Sequence, residues 1–424
     1  MMNFQNCKAA FQQLSCYLTA SFLPMMISLF LNPLYALNLS YRDYGILGFF
    51  SSFNLLLISF LGFYFFHYYS FRYFSLETVQ ERTLLRNRLL TVQFTIGSGI
   101  FFLLLLLLKI YMVTANLDFP FWPYAFLGFG TTLLSHFQSF YLLELKLQKK
   151  ASRYFYFSMG MCLLNNFLSI LFVVLIPWGA IGKMLGIFLA QGGIALYCFR
   201  KMQVRFNWDM DTIKKAFGFC WPLIPGAAAG YFFNDIDKSF LAVLNDVKLY
   251  GLYSIAFQVT GILGMFYAAL SQTFHADIYQ AVAEKQVRKI LRVLIFINLL
   301  NTAGMLCFLP FSRFFLYFFT GGRYTEATEF LQIMLLKNIL MGICFSCSNV
   351  IVALGFSKSA LLLQIFGACS SLATFKFLIG QYGFEGGAWA QAFSYSGLLV
   401  ISIIFLCLVL KNFTSSKNGL SAST

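Results

Sequence analysis

Long apolar stretches follow one another along almost the whole chain, and polar residues are confined to the short segments between them. A helix that crosses a bilayer needs about 20 consecutive apolar residues. Stretches of that length predict twelve membrane-spanning helices, so the expected fold class is an all-α membrane protein. The predicted spans are residues 11–36, 44–69, 88–112, 119–144, 153–177, 181–200, 216–243, 250–276, 290–311, 327–355, 359–380 and 386–411.

Lysine and arginine are distributed unevenly over the two ends of these spans. Most of the 30 basic residues lie in the segments that follow spans two, four, six and eight. Because cytoplasmic loops carry an excess of Lys and Arg, this asymmetry places those segments and both termini in the cytoplasm. The same orientation requires an even number of spans, which agrees with twelve.

Two of the basic segments are long. Residues 72–90 alternate apolar and charged positions and predict a short interfacial helix. Residues 200–215 form a polar stretch near the middle of the chain. We therefore expect a six-helix N-terminal lobe at 1–200, a cytoplasmic linker at 201–215, a six-helix C-terminal lobe at 216–411 and a cytoplasmic tail at 412–424.

The two halves share short motifs. Tyr44-Gly45 opens span two and Tyr250-Gly251 opens span eight, 206 positions later. Trp178-Gly179-Ala-Ile-Gly182 precedes span six and Tyr382-Gly383-Phe-Glu-Gly386 precedes span twelve, 204 positions later. An offset of six helices starts each copy on the same membrane side, so the motifs predict a parallel internal repeat. Transporters with such repeats tend to bind substrate near the midplane between their lobes and to alternate access by rocking.

Composition narrows the class of protein further. Hydrophobic residues make up 59% of the chain and charged residues 11%, whereas a soluble globular protein has roughly a quarter charged residues. This leaves little room for a soluble domain. The net charge of +15 is typical of basic cytoplasmic loops, and nucleic acid is not expected as a partner.

Three charged residues lie late in span seven: Asp235, Asp237 and Lys238. A charge inside a span is costly and marks a functional candidate, here for gating or ion coupling. The alternative is that all three lie at the outer helix end and reach water. Asp235 and Lys238 are neighbours at i, i+3 on a helix, so an ion pair that holds an outer gate is expected.

Lys337 is the main candidate for binding an anionic substrate. It lies eleven residues into span ten, roughly 16 Å along the helix axis at 1.5 Å per residue, which is near mid-bilayer. The alternative is a structural ion pair with Asp235 or another acid. Asn338, Asn32 and Gln258 are further candidates for substrate contact, although Asn338 points about 100° away from Lys337. The glycine pairs Gly182/Gly186 and Gly226/Gly230 are expected to allow close helix contacts.

Motifs near the middle of the chain resemble one family. They are Trp-Pro-Leu-Ile-Pro-Gly at 221–226, Asn-Asp-Ile-Asp-Lys-Ser-Phe at 234–240 and Tyr-Gly-Leu-Tyr-Ser-Ile-Ala at 250–256. The pattern resembles the Wzx-type polysaccharide and O-antigen flippases of the multidrug/oligosaccharidyl-lipid/polysaccharide (MOP) superfamily. In that family an aspartate and a basic residue stand late in helix seven, and a Tyr-Gly turn leads into helix eight. The matching positions are Asp237, Lys238, Tyr250, Gly251 and Tyr253, and the glycine-rich start of span twelve, 383–390, is similar.

The resemblance implies a transporter and not an enzyme. Its two lobes would form a V, as in MATE-type transporters and flippases. It would flip undecaprenyl-diphosphate-linked sugar repeat units across the bacterial inner membrane for O-antigen, capsule or exopolysaccharide assembly. The implied partners are this anionic lipid-linked glycan, the bilayer, and a polysaccharide polymerase with glycosyltransferases. No metal or other cofactor is implied beyond H⁺ or Na⁺ as a coupling ion.

Two other functions stay open. A cation-coupled multidrug exporter of the same superfamily would use a buried carboxylate, for which Asp235 is the deepest candidate. A membrane-embedded enzyme of polysaccharide assembly would need a large outer loop or loop carboxylates for acid–base chemistry, and the outer connections of this chain are short.

Overall fold

The computed structural model describes residues 19, 22–24, 26–221, 223–284, 286–354 and 356–421. It is almost entirely helical. The helices are α1 (Phe22–Asn38), α2 (Tyr41–Ser52), α3 (Asn54–Gly62), α4 (Phe65–Tyr73), α5 (Val79–Thr114), α6 (Tyr124–Leu147), α7 (Ala151–Ile170), α8 (Gly179–Lys201), α9 (Met210–Cys220), α10 (Leu223–Asn234), α11 (Ile236–Ala242), α12 (Val247–Ala283), α13 (Val287–Thr320), α14 (Thr328–Ala353) and α15 (Ser357–Ser421).

Each of the twelve predicted spans overlaps a helix in this order, although the start of the first span lies outside the described residues. Span two is divided into α2, α3 and the start of α4, and span seven into α9, α10 and α11. Spans eleven and twelve are the two parts of α15, which is interrupted at Gly383. Within the described residues, seven helices are long and apolar enough to cross a membrane, or eight if bent α9 and α10 form one span. The chain is an all-α, multi-pass membrane protein.

The prediction of a short interfacial helix at 72–90 is wrong. The chain is non-helical from 74 to 78 and then enters α5, which continues to Thr114 without interruption. Thr78 and Glu81 form a reciprocal capping box that fixes the start of α5. Arg86 is buried and its guanidinium lies 2.7 Å from the Glu144 carboxylate of α6, so this turn packs inside the protein.

The predicted linker is only partly non-helical. Residues 202–209 lack helical structure, and the Asp209 side chain then caps α9 by accepting from the Asp211 amide at 3.3 Å. Arg88 of α5 holds this segment through an ion pair with Asp209 at 2.7 Å. The chain divides into two compact units: unit 1 is 1–228 with 319–321, and unit 2 is 229–318 with 322–424. The division therefore falls within α10, and the lobe limits of 200 and 216 stay a prediction.

Unit 1 has an aromatic core. Phe63, Phe65 and Tyr69 of the α3–α4 region pack with Phe137 and Phe140 of α6. The amphipathic helix α9 closes this cluster through its buried residues, which are Ile213, Ala216 and Cys220. The outward side of α5 is apolar, with Phe102, Leu103, Leu106, Leu107, Ile110 and Val113 all more than half exposed. Such a surface is stable against lipid chains and costly in water.

Unit 2 has an aliphatic core. Its buried residues come from α12, α13, α14 and α15, and they include Ile278, Ile297, Val350, Leu363 and Leu406. α14 packs extensively against α15, and its Val350 lies in one core cluster with Leu363 and Leu406. This arrangement places the middle of α14 inside the unit, which is why Lys337 is buried.

The shared glycine motifs have two local features in common. Gly179 at the start of α8 and Gly383 before the second part of α15 both have positive φ angles, of 60° and 57°. Gly182 and Gly386, three residues later, leave no room for a side chain. A Cβ on either glycine would collide with a backbone carbonyl of the preceding helix, that of Phe172 or that of Leu378. Each motif therefore makes a tight joint between two antiparallel helices.

Candidate functional site

A break in the seventh span places three charges inside unit 2. α10 ends at Asn234, Asp235 has non-helical angles (φ −131°, ψ −13°), and α11 starts at Ile236. Asp237 is fully buried and Lys238 is 2% exposed. The alternative that these charges simply reach water at the helix end therefore does not hold for Asp237 and Lys238.

The Lys238 ammonium is held by two carboxylates and one ring. Its Nζ lies 2.8 Å from Asp235 Oδ1 and 3.8 Å from Asp237 Oδ1. It also lies 3.2 Å from the ring centroid of Phe257 on α12. The predicted pair between Asp235 and Lys238 is thus present, and its function as a gate stays a prediction.

Asp237 is bound by residues from distant parts of the chain. Its Oδ2 accepts hydrogen bonds from the Tyr253 hydroxyl of α12 and from Gln391 Nε2 of α15, the latter at 2.6 Å. Its Oδ1 has no hydrogen-bond donor among the described residues. A carboxylate with two donors is well stabilised as an anion in a buried site, because charge-assisted hydrogen bonds are the stronger class.

The residues around the break fix its geometry. Gln391 Nε2 also lies 3.3 Å from the Asn234 carbonyl, and the Tyr395 hydroxyl donates to Asn234 Oδ1 at 2.8 Å. Tyr250 donates to the Lys238 carbonyl at 3.1 Å. The free backbone groups of the broken helix therefore find partners on α12 and α15, which is what makes a broken helix tolerable inside a membrane protein.

Lys337 lies next to this cluster without an ion pair of its own. It is 5% exposed. Its Nζ lies 5.0 Å from the Phe257 ring centroid and 5.9 Å from that of Tyr395. Within the described ranges no carboxylate oxygen lies within 4.0 Å of this ammonium, so the alternative of a direct pair with Asp235 is wrong. The two lysines share the ring of Phe257, and with two carboxylates the cluster is formally neutral.

The other three predicted substrate contacts lie elsewhere. Asn338 is buried and donates to the Thr260 carbonyl of α12 at 2.8 Å, so it joins α14 to α12. Gln258 is exposed. Asn32 belongs to unit 1, where it donates to the Phe319 carbonyl at 3.1 Å. The structure brings Asp235, Asp237, Lys238 and Lys337 together in unit 2 and leaves these three amides outside the cluster.

Sequence reasoning missed Asn234, Gln391 and Tyr395. Gln391 and Tyr395 are four residues apart in the last span, so they lie on one face of a helix. A buried amide and a hydroxyl on one face of an apolar span are a weak signal that could have marked them. Their partner, however, is 154 or more residues away, and the sequence alone does not show which helix they would meet.

Unit 1 contains a separate pocket of about 310 Å³, lined by α2, α3, α6 and α8, whose walls are mostly apolar. Its polar residues are all neutral: Ser51, Asn54, Thr131, Thr132 and Ser135. The hydroxyl of Thr132 lies 3.5 Å from Asn54 Oδ1. The pocket thus offers hydroxyl and amide groups beside apolar walls formed by residues such as Phe50 and Met184.

Comparison with solved structures identifies the fold. The chain is similar to an inward-facing multidrug resistance MATE family transporter of the MOP superfamily, with a TM-score of 0.67 and 13% identity over 94% of this chain and 99% of that one. It is also similar to the lipid II flippase MurJ in an inward closed conformation, with a TM-score of 0.65 and 15% identity over 92% and 86% of the two chains.

A third similar structure is the Vibrio cholerae MATE transporter VcmN in the bent form, with a TM-score of 0.54 and 16% identity over 96% and 97% of the chains. No family model matches the chain, and no curated protein matches it. The identities are low, so these likenesses define the fold. It is the fold of the MATE transporters and of MurJ, and the sequence-based prediction of this fold class is confirmed.

Proposed function

We propose that the chain is a flippase for an anionic lipid-linked oligosaccharide, and that undecaprenyl-diphosphate-linked repeat units are its substrates. It would carry them across the bacterial inner membrane by alternating access, for surface polysaccharide assembly. The fold shared with MurJ and the MATE transporters supports transport across a membrane, rather than polysaccharide-assembly enzymology, as the general activity. The Wzx-type motifs around Asp237 support the glycan-lipid substrate.

The observation that carries the proposal is the environment of Lys337. An ammonium at mid-span is expensive unless it is paired or functional. Lys238 is neutralised by carboxylates, and breaking such a buried pair costs roughly 3–5 kcal/mol. Lys337 is held by aromatic faces, and such contacts are worth only about 0.5–2 kcal/mol. An arriving phosphate therefore attracts Lys337 more readily than Lys238.

The neutral pocket of unit 1 supports the same substrate class. Sugar hydroxyls are donors and acceptors at once, and they pair with the hydroxyl and amide groups of side chains such as Asn54 and Thr132.

The test is export in a deletion strain that lacks the chromosomal gene. Lys337→Ala is expected to abolish surface polysaccharide while the protein level in the membrane stays normal. Lys337→Arg is expected to retain part of the export, because the charge is kept but the geometry changes. Lys376→Ala is the matched control, since Lys376 also lies in an apolar span but has an exposed side chain.

Full export by the Lys337→Ala strain at wild-type expression would refute the proposed function of Lys337. Loss of export in the Lys376→Ala strain as well would show that the loss is not specific to Lys337. Flippase activity would then have to be tested with purified protein in vesicles that contain the lipid-linked glycan.

A second candidate function rests on Asp237. Asp237 is a buried carboxylate with one oxygen that has no donor in the described part of the chain, and intramembrane carboxylates are common in proton and ion sites. A cation-coupled multidrug exporter is therefore the alternative. Asp237→Asn would then increase sensitivity to cationic drugs and leave surface polysaccharide unchanged. If the protein is a flippase, the same substitution would reduce surface polysaccharide and leave drug sensitivity unchanged.

A further inference from the structure

A second cavity lies in unit 1 and shares no lining residue with the 310 Å³ pocket. It is a groove of about 620 Å³ between α6, α7 and α8. Arg153, near the start of α7, and Lys201, the last residue of α8, line one end of it. Leu164 lines the other end, and no acidic residue is among the described residues that line the groove.

The two cations are available to an outside ligand. Both side chains are exposed. In the described part of the chain neither makes an ion pair or a hydrogen bond, in contrast to Arg86 and Arg88 of the same unit. Two unpaired cations at one end of an apolar groove are complementary to an anionic head group that carries an apolar chain.

The length of the groove matches one leaflet of a bilayer. Arg153 and Leu164 are eleven residues apart on α7, which is roughly 16 Å at 1.5 Å per residue. The hydrocarbon core of a bilayer is about 30 Å thick, so the groove extends over about half of it. Because Arg153 and Lys201 lie on the side predicted to be cytoplasmic, the groove faces the inner leaflet.

The floor of the groove is aromatic and favours a lipid over a glycan. The rings of Tyr141 and Phe157 are 4.8 Å apart, and those of Phe157 and Tyr197 are stacked at 5.8 Å. Tyrosine side chains such as those of Tyr141 and Tyr197 concentrate at the level of lipid head groups. Gly160 and Gly193 lie along the groove, and a Cβ on either would meet no heavy atom within 4 Å among the described residues. The described lining residues include no serine, threonine, asparagine or glutamine that would bind sugar hydroxyls.

We propose that this groove is a binding site for one anionic phospholipid of the inner leaflet. Arg153 and Lys201 bind the phosphate of the head group, and an acyl chain lies over Gly160 and Gly193 against the aromatic floor. Basic pockets between spanning helices on the cytoplasmic side are a known form of anionic-lipid recognition. The site is distinct from the charge cluster of unit 2 and does not depend on the transported substrate.

The experiment uses purified full-length protein in detergent. It is titrated with phosphatidylglycerol or with phosphatidylcholine of identical acyl chains, and the lipid-bound forms are counted by native mass spectrometry. The wild type is expected to bind phosphatidylglycerol about tenfold or more tightly than phosphatidylcholine, because each basic residue contributes severalfold to the binding of an anionic lipid. The double variant R153Q/K201Q is expected to lose this preference.

Two further variants separate a built site from diffuse charge attraction. Gly193→Leu keeps both cations but fills the groove, so it is expected to weaken phosphatidylglycerol binding; Gly160→Leu replaces it if the first variant is not monodisperse. K214Q/K215Q removes two exposed lysines of α9 that do not line the groove, and it is expected to bind like the wild type.

The proposal is overturned if R153Q/K201Q keeps the preference, if K214Q/K215Q loses as much as R153Q/K201Q, or if the leucine variant binds like the wild type. Undecaprenyl phosphate is added as a competitor in the last arm. If it displaces phosphatidylglycerol and binds more tightly, the groove belongs to the path of a lipid-linked substrate and the phospholipid assignment is wrong.

Discussion

Replacing Lys238 by methionine removes the ammonium beside Asp235 and Asp237 while it keeps an unbranched side chain. At an effective dielectric constant of about 20, the attraction at 2.8 Å is about 6 kcal/mol and that at 3.8 Å is about 4 kcal/mol. Desolvation of each ion, at several kcal/mol, offsets most of this sum, so the cluster itself adds little net stability.

The cost of breaking the cluster is larger than its net contribution. Without Lys238, two carboxylates stay in a buried site with no neutralising charge in contact, and removing one partner of a buried pair costs roughly 3–5 kcal/mol. We therefore expect Lys238→Met to lower the melting temperature of the protein by on the order of 10 °C. Asp235→Asn combined with Lys238→Met is expected to recover part of this loss, because Asp237 still has two donors.

The assay is thermal unfolding of the detergent-solubilised protein. Lys248→Met is the matched control: Lys248 forms an ion pair with Glu326 at 2.7 Å in the same unit, but both side chains are more than half exposed. Such a surface pair is worth about 0–1 kcal/mol, so its loss should hardly change the melting temperature. A Lys238→Met protein that melts with the wild type, or a double variant less stable than the single one, would refute this reasoning.

Three further predictions concern individual contacts and the orientation of the chain. Tyr253→Phe and Gln391→Leu each remove a donor to Asp237 and should each destabilise the protein by about 1.5–3 kcal/mol. Because both donors bind the same carboxylate, the two losses should not add in the double variant. Strict additivity in thermal melts would argue against a common anion. The pKa of Asp209 is lowered, first by the hydrogen bond that the Thr212 hydroxyl donates to it and then by the Arg88 guanidinium. The ionised Asp209 therefore stabilises segment 202–209 at neutral pH, and this stabilisation is lost as pH falls through the lowered pKa. Hydrogen exchange of this segment should accelerate in acid, and Arg88→Gln should weaken its protection already at pH 7; equal exchange in variant and wild type would contradict this. Finally, alkaline phosphatase fused after Lys411 or inserted within 202–209 should be inactive, since both positions are predicted to be cytoplasmic. Activity at either position would contradict the predicted orientation of the chain in the membrane.

The order of the helices could be predicted from the sequence because it depends on local properties. Apolar length and the distribution of Lys and Arg act residue by residue, and the glycine motifs at Gly179 and Gly383 mark tight joints wherever they occur. The expected close contact at Gly182 and Gly186 is confirmed by the backbone of Phe172 beside the first and of Leu168 and Ser169 beside the second. At Gly230 the expectation is wrong, since a Cβ there would meet no heavy atom within 4 Å among the described residues.

The candidate site could be predicted only in part. The charges of span seven and Lys337 are visible as rare residues in apolar stretches. The helix break at Asp235 could not be predicted, because nothing in the sequence from 228 to 238 terminates a helix. The break is stabilised by hydrogen bonds from Gln391 and Tyr395. The course of α5 through 79–90 was missed for a similar reason, because its charged residue Arg86 is satisfied by Glu144 of another helix.

The dependence of α10 and α11 on Gln391 has a consequence for the biogenesis of the protein. Asp237 is synthesised 154 residues before its partner. At about 5–20 residues per second, the interval is roughly 8–30 s. During that time a segment with three charges is in the membrane without its final donors. Quality control by membrane proteases acts on such unfinished segments, so C-terminally truncated chains that lack the last span should be degraded, while chains that contain the whole of this span should accumulate.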